Sequence, residues 1–302
     1  MEPGEVREAG HGTTDLHYVE TGMFDIEGYS SVYLLDAEEP AVIETGIGTE
    51  WELIVDAMES VGIDPEDVAY VAPTHVHLDH AGGAGYLAEA CPDAEVVIHE
   101  VGAPHLVDPG RLWEGTKRAV GDQIRHYAEP KPVPGDRIRS VTGGDVVDLG
   151  NHELAVHHAP GHAPHQVVYH DPTNGVVFTA DAAGIYVPDL DAVKPTTPPP
   201  NFDVPQAVAD TRAITDLDPE ILCYSHFGPQ PTGERLAEHE RALTEFAELV
   251  EERRERLGDD EAVVQQFVEE TDLADAWSPD RARAVAEMDV RGILRYLDTR
   301  GE

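Results

Sequence analysis

A layered α/β protein, sheets inside and helices outside, is predicted by three observations in this 302-residue sequence. Short runs rich in β-branched and aromatic residues, bounded by Gly, Pro and Asn, alternate with longer amphipathic runs. That alternation repeats over two halves, which favours stacked sheets with helices outside them. From about residue 231 the composition shifts to helix formers and charges, predicting a helical extension. The pattern itself leaves open which layered architecture is adopted. We read residues 1–230 as the main domain, with an insertion or lid at about 102–140, and 231–302 as the extension.

The segments HYVETGMF, SSVYLLDA and PAVIETGIG read as strands of an antiparallel meander. TEWE then offers a capping box of Thr49 and Glu52, opening a helix whose core face carries Leu53, Ile54, Ala57 and Met58. DVAYVAPT is a strand leading into the loop HVHLDH, and AGGAGYLAEA begins another helix. AEVVIHE follows as a strand. The Pro-punctuated insertion contains a helix around RLWEGTKRAVGDQIRHYA and is positioned to wall or cover a site. Two hairpins come next, one turning at Gly150-Asn151 and the other at Asn174-Gly175, the stronger signal. Asp203 with Gln206 caps a helix to about Leu217, and EILCYSHFG reads as the last strand. The amphipathic spacing of LAEHERALTEFAELVEERRERL and RARAVAEMDVRGILRYL fits a packing or homodimer face.

Composition narrows the partners. Sixty acidic residues face twenty basic ones, of which only Lys117, Lys131 and Lys194 are lysine. Such a chain lacks the basic footprint of a nucleic-acid binder. Lysine depletion with this acid excess predicts adaptation to molar salt and a haloarchaeal source, because at about 1 M salt the Debye length falls to about 3 Å and self-repulsion is screened. A melting temperature that climbs with KCl is the expected signature. No window approaches the ~18 apolar residues needed to cross a bilayer, and MEPGEVREAG lacks a secretory pattern, so a soluble cytoplasmic chain is expected. Cys91 and Cys223 stand alone and read as small core residues.

The chemistry centres on PTHVHLDHAGG, where His75, His77, Asp79 and His80 form H-x-H-x-D-H on a strand-to-helix loop. In an extended segment His75 and His77 share a side, and a turn after Leu78 brings Asp79 and His80 to a neighbouring point. Two close pairs of nitrogen and carboxylate donors invite two metal ions rather than one tetrahedral site. Further candidates fall at later strand exits: His162 after LAVHHAPGH, Asp181 after VVFTAD and His226 after ILCYSH.

The set THVHLDH, PGH, TAD and SHFG, spread over residues from about 15 to 230, resembles the metallo-β-lactamase superfamily. That resemblance implies a four-layer αββα sandwich. It implies a first metal on His75, His77 and His162, a second on Asp79, His80 and His226, and Asp181 bridging both. PAVIETGIG resembles a strand-turn segment of the family, with Glu44 where aspartate is usual. The bridging aspartate and the segments GAPHLVDP, PGHAPH, PTTPPPNFD and SHFGP resemble glyoxalase II-like hydrolases more than the β-lactamases themselves. The expected cofactor is two divalent ions, zinc for preference. The expected reaction is hydrolysis of a small-molecule thioester, lactone or other acyl substrate by a hydroxide held between the metals. Asp79 would orient that hydroxide and relay its proton, while Tyr186, His105 and His165 are candidate substrate contacts. The competing reading is a persulfide dioxygenase-like oxidoreductase with one iron on His75, His162 and Asp181.

Overall fold

A computed structural model of the chain describes residues 1–300. The first half builds one sheet. It contains β1 (Val6–Glu8), β2 (Leu16–Val19), β3 (Val32–Leu35), β4 (Ala41–Ile43), α1 (Trp51–Val61), β5 (Tyr70–Ala72), α2 (Leu78–Ala81), α3 (Ala84–Ala90), β6 (Glu95–His99), α4 (Ala103–Val107), α5 (Gly110–Val120) and β7 (Ile138–Val141). These strands hydrogen-bond in chain order, antiparallel from β1 to β4 and parallel from β4 to β7. The second half adds β8 (Val146–Asp148), β9 (Glu153–His158), β10 (Val167–Asp171), β11 (Val176–Phe178), β12 (Ile185–Val187), β13 (Ala192–Lys194), α6 (Val204–Asp216), β14 (Ile221–Cys223) and β15 (Pro229–Pro231). Its six-stranded sheet runs β15-β14-β11-β10-β9-β8. The helices α7 (Arg235–Leu257), α8 (Asp260–Glu270) and α9 (Pro279–Thr299) complete the described chain.

Strand alternation produces the layering. In β3, Val32 and Leu34 face the core beneath α1 and α3, while Tyr33 and Leu35 face the second sheet. In β11, Val176 and Phe178 enter that shared inter-sheet core and Val177 points outward, where Ile214 of α6 and Leu236 of α7 cover it. Both sheets are thus apolar on both faces, and the result is the four-layer αββα sandwich. Cys91 and Cys223 are buried and free. Among the described residues no helix is long and apolar enough to cross a membrane.

Several elements depart from expectation for local reasons. The first helix starts at Trp51 rather than Thr49, because Glu50 adopts φ 56° and the Thr49 hydroxyl donates instead to the His126 carbonyl at 3.2 Å. A tertiary contact thereby replaces the capping box. EILCYSHFG is not the last strand, since β15 returns antiparallel beside β14. The Asp203 cap holds, its side chain accepting from Gln206 N. At the far end α9 approaches so closely that a Cβ on Gly292 would collide with the Thr197 carbonyl. Asp289 locks the same contact, accepting from Thr197 N at 2.8 Å.

Candidate metal centre

β4 and β5 run parallel, β11 and β14 run parallel, and β9 points the same way as β11 across β10. The exits of β4, β5, β9, β11 and β14 therefore meet at one edge of the sandwich. They deliver Glu44, residues 73–80, His162, Asp181 and His226 respectively. After β5 the chain bends, turns Val76 into the core and stays extended at His77 before α2 begins, which places Asp79 and His80 on the first helical turn. The Thr45 N–H and hydroxyl both donate to the His80 carbonyl at 2.8 Å. Gly83 permits that closeness, for a Cβ there would strike the Thr45 carbonyl.

All seven residues of the sequence-derived set come together, in two groups. Donor atoms of His75, His77, His162 and Asp181 lie within 4.8 Å of one another, as do those of Asp79, His80 and His226. His77 Nδ1 is 3.0 Å from both His75 Nε2 and His162 Nε2. Asp181 stands between the groups, with Oδ2 3.2 Å from His162 Nε2 and 3.4 Å from His80 Nε2, and Oδ1 3.9 Å from His226 Nε2.

Surrounding acceptors set the tautomers. The Nδ1–H of His80 donates to Glu44 Oε1 at 3.1 Å, that of His226 to the Tyr29 carbonyl at 3.2 Å, and that of His162 to the Thr196 carbonyl at 3.3 Å. Thr74 Oγ1 donates to Glu44 at 2.6 Å, so at 3.1 Å it accepts from His75 Nδ1. In its neutral form each of these rings therefore aims an Nε2 lone pair inward. Burial keeps His75 well below its ordinary pKa and His77 down to about 3. Burial also lowers His162 and His226 despite the nearby Asp181. It opposes charge on His80 too, but Glu44, Asp181 and Asp79 outweigh it and hold His80 well above the usual value. Burial would raise Asp181, yet His162, His80 and His226 pull its carboxyl below the usual range.

This donor set fits cations. A proton on His77 Nδ1 can serve only one of the two Nε2 atoms 3.0 Å away, whereas a cation among the three engages them all. His80 Nε2 and Asp181 Oδ1 are buried without a hydrogen-bond partner, a rare condition in a folded protein. Nitrogen and carboxylate oxygen are also the donors that zinc accepts.

The centre opens into a cavity of about 620 Å³, walled by α5 and the turn after it, by Tyr29 and Tyr127, by the loop around Thr196 and by α9. Three expected substrate contacts are not in its lining. Tyr186 points away because β12 alternates: Ile185 faces the cavity, while Tyr186 packs in the outer core under Arg235 and donates to Asp191 at 2.8 Å. His165 lies behind the cluster, stacked 6.0 Å from His75, and burial takes it down to about 2. His105 sits behind it again, 6.3 Å from His165. In their place the cavity presents Tyr29, Arg281 and Asp289. No local motif marks these three, since only the return of α9 across the site assembles them.

The chain is 26% identical over 218 residues to the metallo-beta-lactamase fold-containing protein ST1585 of Sulfurisphaera tokodaii, spanning 70% of this chain and 78% of that protein. The crystal structure of ST1585 superposes with a TM-score of 0.70 at 22% identity, covering 92% of this chain and 98% of that one. Acyl-coenzyme A thioesterase MBLAC2 of Gallus gallus is 26% identical over 182 residues, 55% of this chain and 62% of the thioesterase. Hydroxyacylglutathione hydrolase of Maricaulis maris is 30% identical over 146 residues, 48% of this chain and 43% of that enzyme. Residues 25–226 match the sequence profile of the metallo-beta-lactamase superfamily, a stretch that contains every strand exit meeting at the centre. The chain belongs to the metallo-beta-lactamase superfamily.

Proposed function

We propose that this chain is a binuclear metal-dependent hydrolase of thioester, lactone or related acyl substrates. The observation that carries the reading is the pair of adjoining donor groups that share Asp181. His75, His77 and His162 would hold one divalent ion and Asp79, His80 and His226 the other, zinc being the ion these donors favour. When bound, such ions supply Lewis-acid polarisation of a carbonyl and lower the pKa of water from 15.7 towards about 7. Two relatives are likewise named for acyl chemistry, an acyl-coenzyme A thioesterase and a hydroxyacylglutathione hydrolase.

The chain's own groups fit this task. Asp79 lines the cavity with one carboxylate oxygen, Oδ2, 3.9 Å from His80 Nε2, and in this reading its other oxygen would take a proton from attacking water and pass it to the leaving group. The buried Tyr29 phenol accepts from Arg281 at 2.8 Å, which leaves its own O–H to donate to a carbonyl or leaving atom in the cavity. The Tyr29→Phe variant is expected to lower kcat about tenfold with little change in KM. An equal kcat in the two proteins would remove Tyr29 from the chemistry.

An arrangement with one iron on His75, His162 and Asp181 is the weaker reading. It would leave His80 Nε2 and Asp181 Oδ1 buried and unpaired. Metal analysis of protein purified without added metal, paired with a screen of esters, thioesters and lactones from low to molar KCl, tests the proposal. About two zinc per chain with acyl hydrolysis is expected. A single iron with no hydrolysis would overturn it.

A further inference from the structure

In a chain of net charge −40, the cavity lining brings Arg118, Arg125, Arg281, Arg283 and Arg291 in from α5, the turn after it and α9, interspersed with carboxylates. Arg291 is neutralised by Glu261 at 2.7 Å and Glu287 at 2.9 Å. Among the described residues none of the other four has a carboxylate within 4.0 Å. Arg118, Arg125 and Arg283 are exposed, but Arg281 is only 8% exposed. Its guanidinium lies 3.7 Å from the Phe24 ring centroid, one Nη donates to Tyr29, and its buried Nε has no partner. A buried cation without a counter-anion is strongly unfavourable. Asp79 and Asp289 line the same cavity, but Asp79 stands beside His80 in the second donor group and Asp289 is held by Thr197, and neither comes within 4.0 Å of the guanidinium.

We infer that the unpartnered edge of this guanidinium serves the substrate: Arg281, at the cavity wall, anchors a carboxylate or phosphate on the molecule whose acyl bond is cleaved. The inference rests on the acyl-hydrolase reading and narrows it to anionic acyl compounds. A planar guanidinium fork suits either group, since both accept two parallel N–H bonds. Arg281, Arg125 and Gln123 also line a second cavity of about 800 Å³, so the anchor stands at the boundary between the two spaces. A substrate held there can place its acyl bond towards the centre while the remainder of its leaving group extends into the second cavity.

Two matched pairs serve as probes: S-acetylpantetheine with its 4′-phosphate, and S-acetyl-3-mercaptopropionate with its methyl ester. Assays are run at the lowest KCl that keeps the chain folded, because salt screens the contact. The wild-type protein is expected to favour at least one anionic member by about tenfold or more in kcat/KM, and Arg281→Gln to collapse that ratio. The responding pair identifies phosphate or carboxylate. If Arg281→Gln lowers both members of each pair by the same factor, or the wild-type ratio is near one, the anchor is overturned. Should Arg281→Gln fail to fold, Arg125→Gln at the same exposed boundary is expected to lower the ratio about threefold, and an unchanged ratio counts against the anchor. If the wild-type protein hydrolyses none of the four, the acyl-hydrolase reading falls separately. The anchor is then read by calorimetric titration with sodium phosphate and sodium succinate. Binding weakened by Arg281→Gln supports it, and no binding to the wild-type protein overturns it.

Discussion

Replacing Asp181 with asparagine is expected to reduce turnover by three orders of magnitude or more and to lower bound metal from about two ions per chain to one or fewer. Asp181 approaches both donor groups, through Oδ2 towards His162 and His80 and through Oδ1 towards His226. Two divalent ions a few ångströms apart repel strongly in a buried site, and a shared carboxylate is what offsets that repulsion. Asparagine keeps the volume and one oxygen but removes the charge, so Asp79 alone would face four positive charges. His77→Ala makes a useful contrast. It removes one nitrogen from the first group and touches nothing in the second, so about one ion should remain while turnover is still lost. Elemental analysis and kcat on the best acyl substrate read both variants. Two ions and near-normal turnover in Asp181→Asn would discard the shared-carboxylate account.

The expected fold loss is smaller, because Asp181 is held by imidazoles rather than by the core. Without metal, His80 sits between Glu44, Asp181 and Asp79 and retains a proton there. Removing the Asp181 charge weakens that hold without opening a cavity. Activity and metal content, not melting temperature, are therefore the sensitive readouts for this position.

How far such residues could be read from sequence follows from where each signal resides. His75, His77, Asp79 and His80 are legible because one loop carries them all, and His162, Asp181 and His226 because each ends a recognisable strand. The sandwich is legible because strands such as SSVYLLDA are apolar on both faces. Tyr186 shows the limit: on β12 a one-residue shift exchanges cavity for outer core, and sequence alone does not show that Ile185 holds the inward position. Thr49 shows another, where a sound capping signal yields to the His126 carbonyl brought in by the insertion. Arg281 lies in an amphipathic run that reads as ordinary packing. Its proximity to Tyr29 spans 252 positions, and no local periodicity encodes such a contact.

Glu44→Ala is expected to be among the most damaging substitutions in the chain, destabilising it by about 3–5 kcal/mol and weakening metal at the second group by about 10–100-fold. One oxygen, Oε1, accepts from Thr74 Oγ1 at 2.6 Å, Ser225 Oγ at 2.7 Å and His80 Nδ1 at 3.1 Å, while Oε2 accepts from Thr74 N at 3.3 Å. These partners come from the exits of β5 and β14 and from α2, so Glu44 ties the two sheets together directly behind the centre. Alanine leaves all four donors buried without an acceptor. It also frees His80 Nδ1, and with it the tautomer that aims Nε2 inward. Glu44 already sits at φ 70°, a conformation that alanine would have to keep, so the substitution offers no relief of backbone strain. Glutamine retains one acceptor oxygen but turns an amide N–H₂ towards a donor, for which about 1–3 kcal/mol is expected. Aspartate is shorter by one methylene and cannot reach all three side-chain donors from the same backbone position. The stability order should therefore be wild type, then Asp or Gln, then Ala, measured by denaturant unfolding of metal-free protein, with zinc affinity following from chelator competition. If metal-free Glu44→Ala unfolds within about 0.5 kcal/mol of wild type and binds zinc equally well, Glu44 is a passive buried carboxylate and His80 is oriented by something else.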